Sequence, residues 1–193
     1  MRGWVLILFN VVVQSSFGQS IEIAFRLTEK DLIPEGITFD PSTQSFYVSS
    51  INKRKIVKID EKGKVSDFIS SQQDDIGEVL GLKVANGKLW ACSNLSTDST
   101  SRAMIHQFDL TNGKLIHKWI LEVKGENHLF NDLAISAAGE AFISDSDYNA
   151  IYQVSQDAEK PELCIKDTRP ERHQWNRYDE RSGCCSKCFF RFL

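Results

Sequence analysis

Almost no stretch of this chain repeats its apolar residues at helical spacing, which excludes helix bundles and alternating α/β folds. No apolar run is long enough to cross a bilayer. The longest, "WVLILFNVVV", has ten residues and is interrupted by Asn10. Positive charge is not in excess: 23 Lys and Arg against 26 Asp and Glu give a formal net charge of −3. That leaves no electrostatic case for nucleic acid or an anionic membrane. The short run Lys53-Arg54-Lys55 lies between two strand-like segments and reads as a solvated turn. Cysteine is scarce where a disulfide framework would need it. Four of the five (Cys164, Cys184, Cys185, Cys188) fall in the last thirty residues, an odd and end-loaded set. Cys185-Ser-Lys-Cys188 has CxxC spacing, but only His173 stands near it and no second pair completes a zinc site.

What is present points outward from the cytoplasm. Met1-Arg2, the apolar run and the small residues of "SSFGQS" have the layout of a secretory signal peptide, residues 1–18, cut after about Gly18. The expectation is a secreted or exported protein, extracellular or periplasmic, with no membrane attachment once the signal is removed. With 41% hydrophobic and 25% charged residues, the remainder can bury a core.

That remainder repeats. One unit reads "PEGITFDPSTQSFYVSSINKRKIVKIDEKGKVSDFI". A second reads "VLGLKVANGKLWACSN" followed by "AMIHQFDLTNGKLIHKWIL". A third reads "FNDLAISAAGEAFISDSDYNAIYQVSQDAEKPELCI". Each holds four alternating runs joined by turns such as "ANGK", "TNGK" and "DEKGK", whose glycines supply the positive φ of a tight hairpin. Gly36 to Gly81 is 45 residues and Gly81 to Asp132 is 51. Four strands at this period predict an all-β chain of propeller blades at about 30–70, 78–122 and 128–164; a β-sandwich with accidental self-similarity is the alternative. Trp90, Trp119, Phe46 and Phe142 are expected to pack between blades, and His106 and His117 to be structural.

In a propeller the first strand of each blade lines the central channel. Glu35 and Asn131 stand at equivalent places, one step before the "GI" and "DL" residues. A carboxylate and an amide oxygen brought to one channel mouth suit calcium or another divalent cation. Taken singly, each residue could equally be turn chemistry.

At these residues the chain resembles the family that unites gluconolactonase, senescence marker protein and luciferin-regenerating enzyme, with paraoxonases and strictosidine synthases more distant. The resemblance rests on "IPEGITFDPSTQSFYVSS" and "FNDLAISAAGEAFISDS" in order and covers about residues 30 to 160. It implies a six-bladed propeller with calcium or another divalent ion at the channel mouth, and hydrolysis of a small lactone or ester. It further implies Glu35 and Asn131 as metal ligands. Asp132 would be a turn, second-shell or substrate-contacting residue. His128 could orient a ligand or be an exposed loop histidine.

The chain departs from that family. The later-blade asparagine and aspartate are missing, so no catalytic residue can be assigned. Six blades need roughly 270 to 300 residues at this period. After Ile165 the alternation stops, and residues 165–193 read as an irregular, Cys-rich tail. A one-base shift through Gln174-Trp175-Asn176 (CAA-TGG-AAY) would restore Asn-Gly near the position where a fourth blade is due. The expectation is therefore the N-terminal half, residues 19–164, of a secreted metal-dependent lactonase- or esterase-like hydrolase, inactive by itself. Its open blade edges would invite edge-to-edge self-association. The alternative is a non-catalytic propeller module that binds a small ligand or a protein. Asn94-Leu-Ser96 is a glycosylation sequon, expected on the loop after "WACS".

Overall fold

The computed structural model describes residues 22–96 and 101–167. The proposed signal peptide, His173, Gln174–Asn176 and the C-terminal cysteine cluster lie outside the described residues. Twelve strands form three four-stranded antiparallel sheets. The first blade is β1 (Ile37–Asp40), β2 (Ser45–Ser50), β3 (Lys55–Ile59) and β4 (Val65–Ile69). The second is β5 (Glu78–Ala85), β6 (Lys88–Ser96), β7 (Ser101–Asp109) and β8 (Leu115–Leu121). The third is β9 (Phe130–Ile135), β10 (Ala141–Asp145), β11 (Ala150–Val154) and β12 (Glu162–Lys166). Within each blade the strands lie in chain order, the arrangement of β-propeller blades. The third blade runs past the sequence-based boundary at 164: Ile165 and Lys166 pair with Ile151 and Ala150 and belong to β12.

Strand register makes the repeat explicit. Ile37 faces Val48, Leu82 faces Ala91 and Leu133 faces Ile143, so these pairs are equivalent across the blades. Glu35, Leu80 and Asn131 then share one position, and Gly36, Gly81 and Asp132 the next. Because side chains alternate along a strand, each blade has a back face towards the blade before it and a front face towards the blade after it. Tyr47, Ile56 and Ile69 on the first front face meet Val79, Leu82 and Leu89 of the second blade. Trp90, Ile105 and Trp119 on the second front face meet Leu133, Ala141 and Ile143 of the third. Trp90 and Trp119 stack at 5.6 Å with 4° between their planes. Full burial of one such side chain contributes about 1.5–3 kcal/mol, so these two interfaces hold the sheets together.

Two of the four expected interblade aromatics are placed elsewhere. Phe46 is on the back face of the first blade, covered by Phe25 at 5.4 Å rather than by a blade. Phe142 is half-buried on the front face of the third blade. Periodicity located both on strands, but only the neighbouring sheet decides whether a face becomes an interface. The segment before β1 is pinned by Lys55, whose ammonium lies 2.7 Å from Glu29 and 2.8 Å from Asp67. Burial would lower the Lys55 pKa, but bonding to the two carboxylates outweighs it and the net shift is upward.

His106 is structural, as expected. It is fully buried on β7, with Nε2 3.3 Å from the Asp74 carbonyl and Nδ1 3.3 Å from Ser93 Oγ. The neutral ring satisfies both partners, donating to the carbonyl and accepting from the hydroxyl. Burial lowers its pKa from 6.5 to about 4. Because the folded state resists the proton that the unfolded chain accepts, this contribution is complete above pH 6.5 and is lost as pH falls towards 4. Denaturant unfolding should show stability declining over that window by up to about 3 kcal/mol from this group. His106→Gln should flatten the profile; an unchanged pH slope in the variant would show that other groups carry it.

Candidate channel-mouth site

The inner strands converge because two residues lack side chains. A Cβ on Gly36 would lie 2.3 Å from the Leu80 carbonyl oxygen. One on Gly81 would lie 2.7 Å from Asp132 Cα and 2.8 Å from Asp132 Oδ1. Adjacent blades are also tied through polar side chains here. Ser49 Oγ donates to the Leu80 carbonyl at 2.8 Å and accepts from Gly36 N–H at 2.7 Å. In the third blade Ser144, at the equivalent place, accepts from Asp132 N–H at 3.1 Å. Between the second and third blades, Asn94 grips the Phe130 backbone at both ends: Nδ2 donates at 3.0 Å and Oδ1 accepts at 2.9 Å.

Asn94 therefore lies within β6, 3% exposed, and not on the loop expected for a glycosylation sequon. Its amide nitrogen is enclosed in the interblade clamp, so the side chain would have to leave this buried position to carry a glycan. A sequon records three residue types in a row and carries no information on which partner the asparagine meets.

Convergence creates a cavity of about 900 Å³ lined from all three blades. Glu35 and Ile37 reach it from the first, Leu80 and Leu82 from the second, and Asn131, Asp132, Asp145 and Ser146 from the third. Glu35 and Asn131, expected together from the repeat, do share this wall, with Glu35 exposed and Asn131 half-buried. Asn131 Nδ2 donates to Ser146 Oγ at 3.1 Å, which leaves its carbonyl oxygen as the amide's remaining polar atom. The pairing register shifts beside Asn131, between Ser144 and Asp145, and again between Val79 and Leu82. Such bulges re-aim side chains at the rims of sheets. Ahead of Glu35, Ile33 has φ of 46°, a conformation that costs a β-branched residue about 1–3 kcal/mol.

Asp132 is exposed, and its Oδ1 accepts from the Leu133 N–H at 2.8 Å. Its carboxylate occupies the space that Gly81 leaves open. His128 is neither an exposed loop residue nor on the cavity wall. It is 1% exposed, with Nδ1 2.6 Å from Asp145 Oδ2 and Nε2 3.3 Å from Glu126 Oε2. The rings of Tyr148 and Tyr152 enclose it at 4.7 and 5.9 Å. Asp145 was not singled out in the sequence. It accepts from the backbone N–H groups of Leu129 and Tyr148 as well as facing His128, and so fixes the start of β9 on the β10–β11 turn. The repeat could have flagged the neighbouring Ser144, which stands where Ser49 does. Beyond the turn that its carboxylate closes with the Tyr148 N–H, nothing local marks Asp145, whose other partners, His128 and Leu129, come from the segment that leads into β9.

Cys92, beneath Asp132, takes the same position as Ser49 and Ser144. Burial, with the Asp132 charge second, raises its thiol well above the ordinary value, so it is inert packing. Among the described residues, no three His, Cys, Asp or Glu side chains are grouped closely enough to hold a metal ion.

Gly81→Ala should push β9 off β5 and lower stability by about 1–3 kcal/mol, read from the urea midpoint. Gly36→Ala should do the same. Midpoints unchanged for both would show that the inner strands separate without penalty.

No family model and no characterised protein sequence matches the chain. Among solved structures, the chain is similar to a gluconolactonase, XC5397 of Xanthomonas campestris, with 15% identity and a TM-score of 0.51. That likeness covers 69% of this chain and 47% of the other. Virginiamycin B lyase of Staphylococcus aureus aligns with 16% identity and a TM-score of 0.43, over 75% of this chain and 59% of the lyase. A putative 6-phosphogluconolactonase of Bacteroides uniformis aligns with 17% identity and a TM-score of 0.47, over 70% and 40%. The chain thus spans about half the length of these structures, and at such identity what it shares with the gluconolactonase is the fold: consecutive blades of a β-propeller.

Proposed function

We propose that the chain is part of a lactonase- or esterase-like propeller hydrolase that uses a divalent cation, calcium in the first instance, at the channel mouth. The observation that supports this reading is the placement of Glu35 and Asn131 at one repeat position on the wall of one cavity. Their oxygens are of the hard kind that calcium prefers, so they fit the ion in chemistry. They do not fit it in number, since calcium takes six to eight oxygens.

Glu35 and Asn131 would hold the ion, with Asp132 beside them contacting solvent or ligand. A bound cation would polarise a lactone or ester carbonyl and stabilise the negative charge that develops on its oxygen. The chain's own residues orient the donors. Ser146 fixes the Asn131 amide, Gly81 admits Asp132, and Asp145 holds the β9 entrance. No described residue is assigned the role of activating water, and for that reason the chain alone is read as inactive. Export to an extracellular or periplasmic compartment belongs to the same reading and rests on residues 1–18.

One observation favours the alternative of a non-catalytic binding module. His128, which faces the cavity-lining Asp145, is sealed against Asp145 and Glu126 and does not line the cavity.

Calcium should raise the melting temperature of the chain in the millimolar range, as expected for a weak, open site. Glu35→Gln and Asn131→Ala should each abolish that shift. Lactone hydrolysis should stay at the buffer rate with and without calcium. A calcium response indifferent to both substitutions would remove the metal assignment, and clear turnover would remove the reading of the chain as inactive.

A further inference from the structure

A second cleft lies between the first and second blades, and none of its residues lines the channel-mouth cavity. Its volume is about 140 Å³, room for one small ion with a few waters. Three segments enclose it. Arg54 comes from the turn between β2 and β3, and Gln72, Asp75 and Ile76 come from the connector between β4 and β5. Leu95 and Arg102 come from β6 and β7. Two arginines from adjacent blades therefore line one cleft, which needs no other part of a propeller to be complete.

Arg54, which the sequence alone reads as part of a solvated turn, is half-buried. Its guanidinium makes no hydrogen bond or ion pair with any described residue. Arg102 uses only Nε, 3.5 Å from Glu122 Oε2, and its terminal N–H groups remain available. The Gln72 carboxamide is likewise unused among the described residues. Asp75, the one carboxylate in the cleft, is answered by the Lys118 ammonium at 3.1 Å. Arg54, Arg102 and Lys118 against Asp75 and Glu122 leave one positive charge without a counter-charge. The frame around these groups is fixed: Ser71 Oγ donates to the Lys53 carbonyl at 2.7 Å and Gln72 N–H to the Arg54 carbonyl at 2.9 Å. It is also strained. Three of the six lining residues have a left-handed backbone, with φ of 50° at Arg54, 59° at Gln72 and 61° at Asp75. Aspartate tolerates that region, but arginine and glutamine are not among the residues that favour it. Strain of this kind gathers at ligand clamps, where the surrounding contacts hold it in place.

We propose that the cleft binds a small oxyanion, a phosphate or carboxylate group, between the guanidiniums of Arg54 and Arg102. A guanidinium presents a planar fork of N–H groups that matches two oxygens of such an anion. Gln72 supplies a further amide donor, and Ile76 and Leu95 add an apolar wall. The anion bridges two blades, so its binding ties the first sheet to the second.

The test is a titration of the full chain with sodium phosphate, and separately with sodium acetate, against sodium chloride at matched ionic strength. NMR signals of the arginine Nε–H groups and the melting temperature are read together. Phosphate or acetate should shift the Arg54 and Arg102 signals and raise the melting temperature where chloride does neither. The anion that acts at the lower concentration identifies the class. Arg102→Gln should weaken binding at least tenfold. Arg54→Gly should do the same while leaving the melting temperature without anion about where it is, since glycine accepts the left-handed backbone. That pair of readings separates an arginine that binds a ligand from one that serves the fold. Lys62→Gln, in the exposed turn between β3 and β4, should leave binding unchanged. Responses to phosphate and acetate no larger than to chloride overturn the proposal. A response that survives both arginine substitutions also overturns it. Should Arg102→Gln fail to fold, Arg54→Gly decides: a folded variant that still responds overturns the site.

Discussion

The structure depends on how closely the inner strands of neighbouring blades approach at the channel mouth. Without side chains, Gly36 and Gly81 bring a backbone within contact of Leu80 on one side and Asp132 on the other. The approach would be costly if it stranded the polar backbone of the strand ends, which cannot all pair within their own sheet. Ser49 and Asn94 meet that need by bonding the backbone of the following blade, at Leu80 and Phe130. Close approach and polar satisfaction are thus one arrangement, and everything at the mouth inherits its position from it.

The polar residues divide into two populations. His128, Asp145, His106 and Asn94 are buried, with partners that hold them in place; they fix where strands begin and turns fold back. Glu35, Asn131 and Asp132 line the cavity and retain oxygens for something else. The division follows from desolvation: a carboxylate or imidazole taken out of water needs a compensating partner, and once partnered it is unavailable to a ligand. The same physics explains why His128 is a fixture of the scaffold.

The three front faces show the repeat at the level of packing. An aromatic on the second strand, an isoleucine on the third and a bulky residue on the fourth recur in each blade. Two of these sets are buried between sheets and the third is open to solvent over Ile165. Burial of each set is a property of the pair of blades and not of the strand that carries it.

Much of this was legible in the sequence. Strands, hairpin turns and the 45- to 51-residue period are local patterns, set by alternation and by turn residues within a few positions of each other. They determined the blade architecture, and with it the prediction that Glu35 and Asn131 meet. Tertiary structure alone decided the rest. It put Asn94 in a clamp instead of on a loop, enclosed His128, brought Asp145 to the wall, extended the third blade through Lys166 and left Phe46 and Phe142 outside the two interblade cores. Each of those outcomes depends on a partner between sixteen and thirty-six residues away, or on whether another sheet covers a face. Periodicity along one strand does not encode either.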